Sequence, residues 1–148
     1  MLRFFCPGCW SDFIEDHPQC PKCGLRIHAL LKSKDYVGKL ILALNHPEQG
    51  TAIRAAWILG RLRTPRAVEP LRQLLEATQD VYIATAAASA LGEIGGSQAQ
   101  EVLCAFADHP ALMVREEIQR ILAQTVPEQP KGDADEREDC VGARAGDP

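Results

Sequence analysis

Three stretches of this chain can be laid on one another residue for residue, which limits its fold more than any other feature. Residues 51–62 read TAIRAAWILGRL, residues 83–94 IATAAASALGEI and residues 114–125 VREEIQRILAQT, at offsets of 32 and 31 residues. Periods of this size belong to stacked helix pairs, in which each unit buries its apolar face only against its neighbours. The expected fold class is all-α, a short solenoid of about six antiparallel helices spanning residues 35–125.

The element boundaries follow from spacing and breakers. From Tyr36, the apolar positions Val37, Leu40, Ile41 and Leu44 recur at helical spacing, and Asn45-His46-Pro47 ends the run because a residue before proline leaves the helical region. Ser33 or Asp35 is placed to cap this helix. Its last residues, LILALNHP, align with LCAFADHP at 103–110, so it is the second helix of a truncated unit. The full units are expected as helices at 49–62 and 64–78, then 80–93 and 97–107, with a last helix at 111–125. Thr64 and Ser97 are the expected caps of the second helices, and Pro70 falls five residues inside its helix, where it removes a hydrogen bond and bends the axis.

Ahead of the repeat stand two C-P-x-C turns, Cys6-Pro7-Gly8-Cys9 and Cys20-Pro21-Lys22-Cys23. Each turn points two thiolates the same way while backbone N–H groups donate to sulfur, so a facing pair supplies a tetrahedral four-sulfur site. The pattern resembles the short zinc ribbons, and residues 1–32 are expected to form one. Gly24 follows the second turn as that resemblance requires, whereas Trp10 stands where glycine usually follows the first. Zinc is the expected metal, in a structural role, because four thiolates leave no open coordination position for catalysis. Iron is the alternative, but the rubredoxins that share this knuckle carry a longer insert between the pairs. His17, between the two turns, reads as an exposed loop residue. After Gly24 the segment LRIHALLKSK is expected to finish the ribbon with a strand and a turn.

Charge and cysteine usage exclude some classes. Residues 127–148 hold three basic and seven acidic side chains, so this segment accounts for the whole formal charge of -4 and the remainder is close to neutral. Nothing in that balance argues for general nucleic-acid or membrane binding. No apolar run approaches the roughly 20 residues that span a bilayer. With no export signal recognised and thiols paired as metal ligands, a cytoplasmic location is expected. Residues 126–148, rich in proline, glycine and charge, are expected to be a disordered acidic tail; Cys140 within it reads as incidental. Cys104 reads as a small core residue.

The paired alanines Ala55-Ala56 and Ala87-Ala88, followed by Leu59-Gly60 and Leu91-Gly92, resemble the HEAT-like repeats of the phycobilisome lyase type. That resemblance implies the solenoid and little about function, because members attach bilins to antenna proteins, hydroxylate a lysine derivative with an iron pair, bind damaged DNA or hold partners. The His-Glu dipeptides on which the hydroxylases of the family rely do not occur here. His46-Pro47 and His109-Pro110 match one another in the repeat but stand two units apart, too far to share a metal, and read as loop caps.

Two features carry the functional expectation. Arg54, Arg61, Arg63, Arg66 and Arg72 fall in a stretch containing a single acid, Glu69. Such a cluster suits an acidic protein surface, phosphates, or simple solvation and pairing with the acidic tail. Trp57 occupies the repeat position of Ser89 and Arg120, which faces outward. It has three readings: packing under the ribbon, anchoring a partner, or burial if the register is shifted. The expectation is a non-catalytic protein-interaction scaffold with a structural zinc site, binding through Trp57, Arg61, Arg63, Arg66 and Arg72. The alternatives are a nucleic-acid-associated adaptor, or an accessory subunit of a modification enzyme such as a bilin lyase.

Overall fold

The computed structural model describes residues 3–125. The expected tail, with Cys140, lies outside the described residues.

The N-terminal module pairs β1 (Phe4–Phe5) with β2 (Asp12–Phe13) in antiparallel register, Phe4 opposite Phe13. The strand expected after Gly24 is instead α1 (Ile27–Ser33). The reason is the apolar spacing: Ile27 and Leu31, four apart, share a helical face and pack with Cys6 and Cys20 in a small separate core. Ser33 donates its hydroxyl to the Leu30 carbonyl and so closes α1 rather than capping the next helix. That role falls to Asp35, whose carboxylate accepts the Gly38 N–H at 2.8 Å and opens α2 (Tyr36–Ala43).

The solenoid continues with α3 (Gln49–Arg61), α4 (Val68–Ala77), α5 (Val81–Ile94), α6 (Gly96–Ala105) and α7 (Leu112–Thr125). From Tyr36 onward this is the expected set of six helices; α1 is the addition. Three local expectations need correction. Thr64 makes no side-chain cap bond; Pro65 opens a 3-10 turn over Pro65–Ala67, and α4 starts only at Val68. Pro70 is therefore the third residue of α4, among the first four backbone nitrogens that have no intrahelical acceptor, and removes no bond. Ser97 lies inside α6, which Gly95 precedes at φ 67° without a side-chain cap. The α5 start is the well-capped one: Asp80 accepts the N–H groups of Tyr82 (2.9 Å) and Ile83 (3.2 Å).

Helices α3, α5 and α7 lie side by side as one layer, while α2, α4 and α6 form the other, so α5 touches α3, α4, α6 and α7. The repeat's small residues explain the spacing of the first layer. Ala55, Ala56, Ala87 and Ala88 are buried, and a Cβ on Gly60 would stand 3.0 Å from the Ala90 Cα. Leu59, Leu71, Leu75, Leu91, Val114 and Ile118 fill the space between the layers. Among the described residues no polar or charged side chain is buried, so the core of the solenoid is wholly apolar.

Candidate functional site

The two cysteine turns are near copies of one another. In the first, Trp10 N–H donates to the Cys6 carbonyl at 2.8 Å and Cys6 N–H to Ser11; in the second, Gly24 N–H donates to Cys20 at 2.9 Å and Cys20 N–H to Leu25. The Gly8 N–H points at the Cys6 sulfur and the Cys23 N–H at the Cys20 sulfur, both at 3.4 Å. Facing each other, the turns bring all four sulfurs within 4.8 Å, with Cys6 to Cys23 at 3.6 Å and Cys9 to Cys20 at 3.7 Å. A tetrahedron with metal–sulfur bonds of ~2.3 Å has edges of about 3.8 Å, so the donor set fits a four-thiolate metal. None of the four is in a disulfide. Cys6 and Cys20 are buried and Cys9 and Cys23 open to solvent.

The thiols compete for negative charge, as a cluster of this kind must. A hydrogen bond with the Ser11 hydroxyl, with help from the Ser11 backbone, lowers the Cys9 pKa to about 6. Cys23 receives the Leu25 N–H, which favours its thiolate, yet burial and three sulfur neighbours outweigh that and push it up to about 12. A bound dication would remove the competition by stabilising all four thiolates.

The glycine-to-tryptophan departure leaves the turn intact. Trp10 adopts φ 56°, the left-handed conformation that Gly24 adopts at 74°. His17 is half-buried, edge-on to Phe13 with ring centroids 5.3 Å apart, rather than exposed, and is not among the clustered sulfur ligands.

The proposed partner residues separate into two groups. Arg66 binds Asp35 at 2.6 Å, and Arg72 is clamped between Glu69 and Glu76. The Arg72 guanidinium in turn lowers the Glu69 pKa to about 2, with Gln73 assisting. Arg66 thus ties the 3-10 turn to the start of α2, and Arg72 braces α4 internally. Arg54, Arg61 and Arg63, by contrast, have no acidic partner among the described residues. Arg54, Trp57 and Arg61 share the outer stripe of α3, with the Arg61 guanidinium 6.0 Å from the Trp57 ring centroid. Trp57 is 64% exposed. Packing under the ribbon and burial through a shifted register are therefore both overturned for Trp57; the indole that meets the solenoid is Trp10. Arg63, at φ 47° past the end of α3, lines a groove of about 240 Å³ with Ser89, Gly92, Glu93, Arg120 and Gln124. Cys104 is half-buried on α6.

The loop histidines cap as expected. His46 Nδ1 accepts the Glu48 N–H at 3.0 Å and His109 Nδ1 accepts the Ala111 N–H at 3.1 Å. What the repeat alignment did not disclose is that Phe5 and Trp10 both pack on the His46 ring. The available signal was Trp10 itself, a large ring at a position that favours glycine.

Two layers of antiparallel helices, repeating at 31–32 residues and sharing one apolar core, define an α-solenoid. The family model for HEAT repeats matches residues 37–123, more than half of the chain, and the chain belongs to that family. The match leaves the cysteine module outside it. No curated protein matches the chain. No helix among the described residues is long and apolar enough to cross a membrane.

Proposed function

We propose that this chain is a non-catalytic, cytoplasmic protein-interaction scaffold of the phycobilisome lyase-type HEAT class, whose N-terminal module is a zinc ribbon with a structural metal. The observation that carries the reading is the outer stripe of α3. A tryptophan left 64% exposed on a folded helix, flanked by Arg54 and Arg61, neither of which is in an ion pair among the described residues, has the composition of a binding hot spot. Arg63 extends the stripe to the groove, whereas Arg66 and Arg72 no longer belong to the binding set because their charges are already paired. An acidic protein surface complements this stripe. The zinc assignment is supported by four thiolates at tetrahedral spacing in a module with too small a core to stand alone.

Affinity capture from the native cell with wild type, Trp57→Ala, Arg61→Glu/Arg63→Glu and Arg72→Ala tests the reading. The first two variants lose the partner, by about tenfold or more for a hot-spot tryptophan, and Arg72→Ala retains it. Equal capture by all four sinks the proposed surface. Tighter binding to a labelled duplex or single strand than to any protein, weakening steeply with salt, would replace it with the nucleic-acid reading.

A further inference from the structure

In the second cysteine turn Gly24 takes the left-handed conformation freely; in the first a tryptophan takes it. A bulky residue held there is strained and persists only where its surroundings over-determine it. Two contacts do so. The Trp10 N–H is tied to Cys6 within the knuckle, and the indole lies edge-on to His46 at 5.3 Å between centroids. Phe5, next to Cys6, meets the same imidazole edge-on at 4.4 Å. His46 belongs to the solenoid, and its Nδ1 holds the N–H of Glu48, the N-cap residue of α3. The Glu48 carbonyl in turn takes the N–H groups of Thr51 at 3.0 Å and Ala52 at 3.3 Å. A continuous run of contacts therefore leads from the cysteine knuckle to the first turn of α3.

The repeat contains its own control. His109 makes the same cap to Ala111, but among the described residues no aromatic ring packs on it.

We propose that His46 is the seat on which the metal-bound knuckle docks, so that metal loading is transmitted through Trp10 and Phe5 to the first turn of α3, the helix that carries Trp57. The inference rests on the reading of the four cysteines as a metal site. With a cation closing the sulfurs, the knuckle backbone is fixed and both rings hold the imidazole in the one orientation that caps Glu48. Without it, Trp10 relaxes out of the left-handed turn, the imidazole is held by its cap alone, as His109 is, and the Glu48 N–H opens to water more often.

Amide hydrogen exchange on the full chain, zinc-loaded and chelator-stripped, with metal content measured in parallel, tests this. The loaded chain holds one zinc, and stripping speeds exchange at Glu48, Thr51 and Ala52 by about two- to tenfold, the range expected for loss of one or two ring contacts. Ala111 exchanges at the same rate in both states. Trp10→Gly preserves the left-handed turn without the ring: it binds zinc at least as well as wild type, and the metal-dependent change at Glu48, Thr51 and Ala52 shrinks to the part that Phe5 carries. A chain that holds no zinc overturns the metal reading and the coupling with it. Zinc binding with no change at Glu48, an equal change at Ala111, or a metal-dependent change as large in Trp10→Gly as in wild type overturns the coupling alone.

Discussion

The N-terminal cysteine module and the solenoid solve the same problem with different resources. The module's buried residues are Cys6, Cys20 and Ile27, two of them from the cysteine cluster, and its sheet is two residues long on each strand. The solenoid buries twenty apolar residues in one continuous cluster that runs from Leu44 to Ile121. On the proposed zinc reading, a module of the first kind draws its stability from metal–sulfur bonds, because its burial is too small to offset chain entropy; the second draws it from packing. The two regions should therefore fail under different insults, which makes the comparison breakable.

The largest effect is expected from removing the metal. Structural zinc contributes on the order of 10 kcal/mol to folding in small modules, so Cys20→Ser or chelation should unfold residues 3–33 outright. Dispersed NMR signals of Phe4, Phe13 and Ile27 collapse, while the solenoid's urea midpoint moves little. If the solenoid unfolds with the ribbon, the two are one cooperative unit and the contrast is wrong.

Next in size is damage to the packed layer. Gly60→Ala places a methyl group 3.0 Å from the Ala90 Cα, a backbone atom on the central helix, and can be accommodated only by parting α3 from α5. Overpacking of that kind costs about 1–3 kcal/mol. Gly92→Ala comes nearer still, 2.8 Å from the Cγ2 of Ile121 and 3.0 and 3.1 Å from two more of its atoms, in a buried β-branched side chain with little rotamer freedom. Replacing a mid-helix glycine gains roughly 0.5–1 kcal/mol at either site, so the second substitution should cost at least as much as the first. Urea unfolding orders the two, and zinc content stays at wild type in both. A Gly60→Ala variant as stable as wild type would mean that the close approach at the repeat glycine is not what sets the α3–α5 distance.

The period made the solenoid legible, because an offset of 31–32 residues with alanines and glycine at matching places leaves few packings for α3 and α5. The clustering of the four cysteines was equally legible, since two C-P-x-C turns that face one another bring their sulfurs together. What escaped was decided by competition that spacing does not encode. Thr64 and Ser97 had good capping chemistry, but Thr64 stands at the N-cap of the 3-10 turn without a side-chain bond, and Gly95 takes the N-cap of α6 two residues before Ser97. Helix α1 was missed because a seven-residue stretch with two apolar contacts carries too little pattern to distinguish from a strand. The pairing of Arg66 was readable in hindsight: Asp35 stands 31 residues before it, and Gln49 stands the same distance before its partner Asp80. One period apart in sequence means side by side in the stack, so charge complementarity should be sought at that offset, not only within each helix.

That Asp35–Arg66 contact supplies the smallest and most discriminating expectation. Asp35 receives a bidentate hydrogen bond from Arg66 and the Gly38 N–H, which together hold its carboxyl below the ordinary carboxylate range. A carboxyl whose folded pKa is depressed stabilises the fold fully above its unfolded value of about 3.9, and that contribution is lost as the pH falls through the lower folded value. No change is expected on titrating from neutrality to about pH 5, and progressive loss follows below about pH 4. Both Asp35 and Arg66 are more than half exposed, so solvent screening keeps the effect small. Acid also protonates the thiolates and releases metal, so the ribbon fails over a neighbouring range for a different reason. Asp35→Asn separates the two: it retains an oxygen to cap α2 but cannot titrate, so the solenoid's melting temperature should fall less steeply with acid than in wild type. The pH at which zinc is released should be the same in both proteins. A shift in zinc release on Asp35→Asn would show that this ion pair steadies the ribbon rather than the stack.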